Sequence, residues 1–496
     1  MSTETRTQLK NSIDTQLPDG SAVKIAKVRQ EMKDIIDTAA PVQNLTDLRN
    51  YGGSAGHVVA VGGDQGGLFV ARDSDPFGNG DDGAVALQAS DGTWWVRRGT
   101  LKGKPLDAQE MGMRGDGNTD DTSAFRDAIA AAQEMGRPLY LPSGEYRITD
   151  TIEVDNNVHI FADGVQPGRW SYNDLKPDTI LLHEQTSGPL FFVATTPDTE
   201  GGSGHQILEG PMLEGFGVRP GPNVTAFNTG RAFDFDASQD NNSNRKQIFS
   251  PVLRRISVKR TGRDGIRFFG DVLDARIINC SITKPEKDAL RQETAVQSAG
   301  TGHPETTQIQ HSYFTTTDDQ VSIHNVGGPD SGSILMVGGG VTGQGNGVVT
   351  GRGFQCFGTR IESGASSANF TVGVIIDGPE CELHPEKITA YNTGVQIKAS
   401  DYRGHIPLLK ADDTAIKELS GNDTWGKISV GKIQAPTRLD AQEGKVDFQP
   451  PFQTGDTPSR PAPDLRAPGT RYLDTDLGHM IHWNGSDWVD GSGNVV

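Results

Sequence analysis

The sequence predicts an all-β chain: a right-handed parallel β-helix, or solenoid, with an N-terminal helical and β region and a small C-terminal β module. Three observations carry this. Glycine accounts for 62 of 496 residues, nearly twice the ordinary ~7%, and hydrophobic residues for 34%, which favours short strands and tight turns over helix bundles. Apolar residues recur every 21 to 31 residues between Ile266 and Val395, with no room for helices between them. One helical pattern, over 122–135, stands directly before that succession.

The first segment, 1–40, ends in a predicted helix. Ser21 follows Pro18-Asp19-Gly20 as its cap, and Ile25, Val28, Met32, Ile35 and Ala39 alternate spacings of three and four. Such an a/d stripe is too short to be stable alone but suffices beside identical copies, so a homotrimer is expected; packing onto its own domain is the alternative. Residues 41–106 read as a small β module. VVAVGGDQGGLFV sets Gly62 to Gly67 between two apolar runs, and AVALQASDGTWWVRR folds back at Asp91-Gly92, a strong hairpin dipeptide.

RGDGNTDDTSAFRDAI opens the main unit, 107–400. Asp121 is positioned to cap the helix, Phe125, Ala128, Ile129 and Ala132 form its buried stripe, and Gly136 ends it. Leu139 and Leu141 then alternate as a strand, Pro142-Ser143-Gly144 turns, and Tyr146 and Ile148 begin another. The lines that follow align on Ile266, Leu290, Val321, Val348, Val374 and Val395, at intervals of 24, 31, 27, 26 and 21 residues. An earlier turn at Phe233 fits if NNSNRK is a loop insertion. Each coil would bury alternate residues against its neighbours, so no coil is stable alone. Residues 401–449 read as the end or cap of the solenoid, 450–468 as a stiff proline-rich linker, and 469–496 as a module with an Asn484-Gly485 hairpin flanked by Trp483 and Trp488.

The net charge of -18 argues against DNA or an anionic membrane as the main partner, since affinity there comes from Lys and Arg. No segment approaches the ~18 apolar residues of a membrane span, and the start MSTETRTQLKN lacks the apolar core of a signal peptide. Cys280, Cys356 and Cys381 make neither a disulfide framework nor a CxxC spacing, and no metal or cofactor is expected.

GMRGDGNTDDTSAFRDAIAAAQEMGRPLYLPSGEYRIT, residues 112 to 149, closely resembles the entry motif of the pectate-lyase-like β-helix superfamily in the form found in bacteriophage tailspikes and depolymerases. IDTQLPDGSAVKIAKVRQEMKDIIDTA is similar to the particle-attachment end of virion fibre proteins, and the tail RPAPDLRAPGTRYLDTDLGHMIHWNGSDWVDGSG resembles a C-terminal tag of phage structural proteins. The resemblance implies a trimeric virion spike or fibre that binds host capsule, O-antigen or exopolysaccharide. It implies contacts with other virion proteins through the N-terminal segment.

Outward residues of successive coils lie about 4.8 Å apart, so spacing in sequence becomes spacing in space. The alignment puts Asp264, Asp288, Asp319, Asn346 and Thr393 at one corner, and Phe269, Glu293, His324, Gly351, Asp377 and Lys398 in an outward ladder. Asp288, Glu293, Asp318 and Asp319 are therefore candidates for the carboxylate pair of a glycoside hydrolase. Arg291, Tyr313, His324 and Asn346 are candidates for substrate binding. KPEKDAL, TTTDDQVSIHN and GQGNG are also similar to the acidic coils of polygalacturonase-type hydrolases, although Asn346 stands where that family has His. Two other readings stay open. Asp264 and Asp288 serve a repeated tight turn equally well. His311, Tyr313, His324 and Arg291 suit a lyase, which needs a base and a cation beside a uronate. A non-catalytic fibre is the remaining alternative.

Overall fold

In a computed structural model of the chain, the described residues are 42–62, 67–75, 81, 85–97, 105–155, 157–164, 178–194, 205–225, 229–238, 245–297, 300–302, 305–316, 320–326, 332–343, 345–363, 372–390, 392–399, 401–419, 426–435, 437–441, 453–455, 457–460, 471–474 and 476–496. The predicted heptad helix and most of the proline-rich linker lie outside them.

From Leu106 to Ala441 the chain winds into coils, each laying one strand into each of three parallel sheets. The first sheet runs from Leu106–Asp107 to Cys381–His384, and the second from Asp116–Asp120 to Lys387–Ala390. The third begins at Ile152–Val154 and ends at Thr437–Ala441. This is a parallel β-helix. Strands Tyr402–Ala411 and Gly426–Gln434 are long enough to extend both the first and second sheets.

Three inward columns fill the interior. Leu213, Leu253, Ile277, Ile309 and Met336 stack in the first sheet, and Val218, Val258, Ile282, Phe314 and Val341 in the second. Phe191, Phe233, Ile266, Leu290, Ile323 and Val348 stack in the third. All are buried, and complete burial of such a side chain stabilises by about 1.5–3 kcal/mol. Phe191 and Phe233 stack with ring centroids 5.5 Å apart.

The observed register corrects the alignment at one point. Leu290 pairs with Ile323, two residues beyond Val321. A slip of two leaves every side chain on its original face, so alternation alone cannot detect it. The coils at Ile152 and Phe191, ahead of the recognised repeat, also belong to the third sheet.

The bend from the first sheet to the second falls in the left-handed region in coil after coil, at Gly215, Arg255, Asn279, His311, Gly338 and Gly358. The ladder continues through it: Asn279 N–H donates to Gln310 O at 2.9 Å, His311 to Val337 O at 2.9 Å and Gly338 to Phe357 O at 2.8 Å. These bonds offset the strain of non-glycine residues at positive φ.

Helix Thr122–Glu134 closes the first coils. Phe125, Ala128, Ile129 and Ala132 are its buried stripe, and the Phe125 ring meets Phe191 edge-on at 5.9 Å. Gly136, at φ 59°, follows the C-cap Met135. Asp121 occupies the N-cap position, yet its side chain makes no capping bond. It accepts instead from Arg114 N at 2.6 Å and Gly115 N at 3.3 Å, tying the preceding loop down. Asp120 caps in its place, accepting from Thr122 N at 3.0 Å.

The N-terminal module is a four-stranded antiparallel sheet in the order Val58–Val61, Gly67–Arg72, Trp94–Arg97, Ala86–Gln88, with Gly92 at φ 92° in the expected hairpin. In the C-terminal module His479–Trp483 pairs with Trp488–Val489, and Trp483 packs on Trp488 at 5.8 Å.

His183, on second-sheet strand Thr179–His183, is fully enclosed. Burial pushes its pKa down to about 4. The unfolded chain, near 6.5, therefore binds the proton first, and stability is full above pH 6.5 and lost progressively as pH falls toward 4. The expected loss is roughly 3 kcal/mol, at about 1.4 kcal/mol per pKa unit. Urea midpoints at pH 7 and pH 4.5 should differ accordingly, and His183→Leu should shrink the difference; an unchanged difference would refute the assignment.

Candidate functional site: an acid–base ladder on the third sheet

Strands Phe233–Ala237, Ile266–Gly270, Leu290–Glu293 and Ile323–Val326 point alternate residues out of the solenoid. One outward column reads Asp234, Arg267, Arg291, His324 in paired register. The next reads Asp236, Phe269, Glu293, Val326. Rungs are only about 4.8 Å apart, so the adjacent Arg267 and Arg291 would repel were it not for the carboxylates that flank both.

Arg267 reaches back to Asp234 at 2.6 Å and to Asp236 at 3.3 Å, and forward to Glu293 at 3.5 Å. Arg231 joins Asp264 at 2.8 Å and Asp234 at 3.4 Å. Arg291 pairs through Nε with Glu293 and through Nη1 with Asp288 at 2.9 Å. Burial alone would lower the Arg267 and Arg291 pKa values, but the surrounding carboxylates outweigh it and raise both. Burial raises the Asp234 pKa against the pull of Arg267 and Arg231.

Asp288 is the joint of the site. It is buried at the corner before Leu290, where Oδ1 accepts from Val321 N at 3.1 Å. Its Oδ2 meets Arg291 and, at 2.8 Å, His324 Nδ1. A carboxylate on Nδ1 favours the tautomer with its proton there, leaving Nε2 as the basic nitrogen for an outside group. One rung further, Val349 and Ile375 continue the His324 column and are buried with Val321 and Val372. The charged face thus ends at an apolar wall.

A cleft of about 500 Å³ runs beside the ladder, lined by Arg231, Gly262, Arg263, Asp264, Glu286, Lys287, Arg291 and Glu293. Arg263 and Lys287 are exposed in it. An acidic or strongly hydroxylated ligand would find cations and hydrogen-bond acceptors there, with the His324–Asp288 pair one rung beyond Arg291.

Of the sequence-predicted residues, Asp288, Glu293, Arg291 and His324 come together. His324 stands beside Arg291 and not beside Glu293, the consequence of the two-residue slip. Asp318 and Asp319 lie outside the described residues. The corner rung expected for Asp319 is held by Val321. Asn346 sits at the same corner two coils beyond Asp288, and its Oδ1 accepts from Val372 N at 3.0 Å. Asp264 likewise accepts from Asp288 N at 3.2 Å. For Asp264, Asp288 and Asn346, tying one coil's corner to the next is therefore a structural duty. Tyr313 belongs to the second sheet, on strand Tyr313–Thr316, apart from the ladder. Arg231, Asp234 and Arg267 were not anticipated; carrying the alignment back through Phe233 would have exposed them.

The described residues define a parallel β-helix protein with an outward acid–base site, and residues 106–180 match the family model of rhamnogalacturonase A/epimerase, pectate lyase-like. The solenoid thus opens with a pectate-lyase-like segment. Over 58 residues, 12% of this chain, it is 43% identical to alginate lyase 7 of Azotobacter vinelandii. Over 86 residues, 17% of the chain, it is 30% identical to the pre-neck appendage protein of Bacillus phage B103. The matched stretches span 7% and 10% of those proteins' own lengths. The enzymatically active domain of tailspike protein 2 from bacteriophage CBA120 superposes with a TM-score of 0.48 at 12% identity, over 90% of this chain and 60% of that one.

Asp288→Ala should destabilise the fold by about 1–3 kcal/mol, because it orphans the buried Val321 N–H and removes the acceptor held by Arg291 and His324. Asp288→Asn keeps an acceptor for Val321 and should cost clearly less. Denaturant midpoints at unchanged m-value test this, and equal losses would mean the corner bond is unimportant.

Proposed function

We propose that the chain is a virion spike that binds an acidic host-surface polysaccharide along the third sheet and modifies it by proton abstraction at a uronate. The observation that carries this is the His324–Asp288–Arg291 cluster at the end of a cation-bearing cleft. Glu293 and Asp288 are each engaged by Arg291, so neither carboxylate is free to turn toward a leaving-group oxygen. His324, by contrast, has an orienting carboxylate and a nitrogen to spare.

In this reading His324 Nε2 takes the proton beside the uronate carboxyl. Arg291, with Lys287 or Arg263, offsets the charge that builds on the enolate-like intermediate. Expelling the C4 oxygen then forms the C4–C5 double bond, and protonated His324 is the donor at hand for the leaving oxygen. Protonation of the opposite face of the ring by water, with His324 keeping the abstracted proton, would give an epimer instead. Local similarity to an alginate lyase supports uronate chemistry, and local similarity to a phage appendage protein supports a virion location. Attachment through the N-terminal segment and assembly as a homotrimer complete the proposal.

A second reading, hydrolysis by a carboxylate pair, is favoured by one observation: Asp318-Asp319 stands four residues in sequence before the strand that carries His324. Incubation with uronate-containing host polysaccharide separates the two. Elimination yields ultraviolet-absorbing unsaturated ends and hydrolysis yields reducing ends without them; unchanged chain length and composition would leave a non-catalytic fibre. His324→Ala should lower turnover at least ~100-fold while leaving the denaturation midpoint close to that of wild type. Full activity in that variant would reject the base assignment.

A further inference from the structure

The second sheet carries a feature that the acid–base ladder does not use. Strand Tyr313–Thr316 turns Tyr313 and Thr315 outward, between Ser281 and Thr283 on one side and Gly340 and Thr342 on the other. Tyr313 is 45% exposed, and among the described residues no other tyrosine, phenylalanine or tryptophan is exposed. A single exposed ring needs no explanation by itself. What sets this one apart is the floor beneath it.

A Cβ on Gly340 would lie 3.1 Å from Tyr313 Cδ1 and 3.2 Å from Cε1, so that edge of the ring occupies the space where a side chain would stand. The φ of Gly340 is not positive, and no turn geometry asks for glycine there. Gly338 repeats the arrangement: its Cβ would fall 2.6 Å from Nδ1 of His311, although a φ of 65° also calls for glycine at that corner. Two exposed rings of one coil, His311 and Tyr313, thus rest over glycines of the next. Polar groups stand beside them. The Thr315 and Thr342 hydroxyls are 2.7 Å apart, and whichever accepts keeps its own proton for an outside group. The cations on this side already hold carboxylates: Arg360, the rung after Gly340, binds Glu386 through bonds of 2.8 and 2.9 Å, and Lys387 pairs with Glu362.

We infer that the His311–Tyr313 platform is a second carbohydrate site, separate from the ladder, and that it takes a neutral pyranose. The C–H face of such a sugar packs on an aromatic ring, while its hydroxyls exchange hydrogen bonds with the threonine pair. A uronate has less to gain here, because Arg360 and Lys387 are each held by a carboxylate. In the third-sheet cleft the balance is reversed, with Arg263 and Lys287 exposed and no aromatic side chain in the lining. Tyr313 and His324 belong to one coil, on consecutive strands of the second and third sheets. A polysaccharide that carries both neutral and acidic sugars can therefore engage both sites. Two weak contacts made by one polymer raise its affinity above either alone by about 10²–10⁴-fold.

The inference does not rest on the chemistry proposed for His324. Saturation-transfer NMR of the full chain with methyl glucopyranosides, methyl galactopyranosides and methyl α-rhamnopyranoside should show at least one of them binding at millimolar concentration. Tyr313→Ala should weaken that binding roughly tenfold or more with unchanged circular dichroism, since the buried Phe314 is untouched. Tyr313→Phe should retain it, and Gly340→Val, which displaces the ring without entering the core, should lose it. His324→Ala should leave it intact even where elimination is abolished, so the two readings fail separately. Sodium glucuronate at the same concentration should not compete. No saturation transfer to any neutral glycoside overturns the inference, as does binding that survives Tyr313→Ala or Gly340→Val. Equal loss in Tyr313→Phe or in His324→Ala overturns it too, and so does competition by glucuronate, which would make the platform part of the anion site.

Discussion

Everything in this molecule depends on the parallel register between coils. A parallel strand pair aligns each residue with one counterpart about 4.8 Å away, so one inward isoleucine makes a column only if every coil supplies another. Ile266, Leu290, Ile323 and Val348 do so with no measurable exposure. The same rule applied outward stacks Arg267 on Arg291, which the fold resolves by placing Asp234, Glu293 and Asp288 against the two guanidinium groups. Core and site are thus two faces of one constraint: the strand that buries Leu290 and Gln292 is the strand that presents Arg291 and Glu293.

The corners decide how free the site residues are. Asp288 closes a turn, receives the Val321 N–H and holds Arg291 and His324. A group so committed is better at orienting a neighbour than at exchanging protons with a substrate. That moves the chemical weight from the carboxylates to His324, which the same carboxylate fixes through Nδ1. Asn346 shows the structural half of the duty in isolation, since it keeps the cross-coil bond to Val372 with no cation among its hydrogen-bond partners.

How much of this was legible in the sequence varies with the physics of each element. The stripe of Phe125, Ala128, Ile129 and Ala132 was readable because a helix enforces a 3.6-residue period that no other element mimics. The third-sheet column was readable for Ile266, Leu290, Val348, Val374 and Val395. It failed at Val321 because both Val321 and Ile323 satisfy a period of two. That slip moved His324 into the wrong column and hid its contact with Asp288. The left-handed corners at Arg255, Asn279 and His311 carried no signal, since only glycine advertises positive φ. Asp121 was assigned the right position and the wrong bond: local spacing places a cap, but the loop that returns to it at Arg114 and Gly115 is tertiary.

The three outer faces then divide the labour by composition. Ion pairs dominate the central coils of the third sheet, while hydroxyls ladder along the second, where Thr315 and Thr342 stand 2.7 Å apart. Apolar side chains and self-neutralised ion pairs occupy the first. A solenoid has no internal reason to make its outside faces differ, because each is equally wet in a single chain and the interior columns are alike. The ionic composition of the third sheet's face is therefore the feature on which the proposed glycan binding rests.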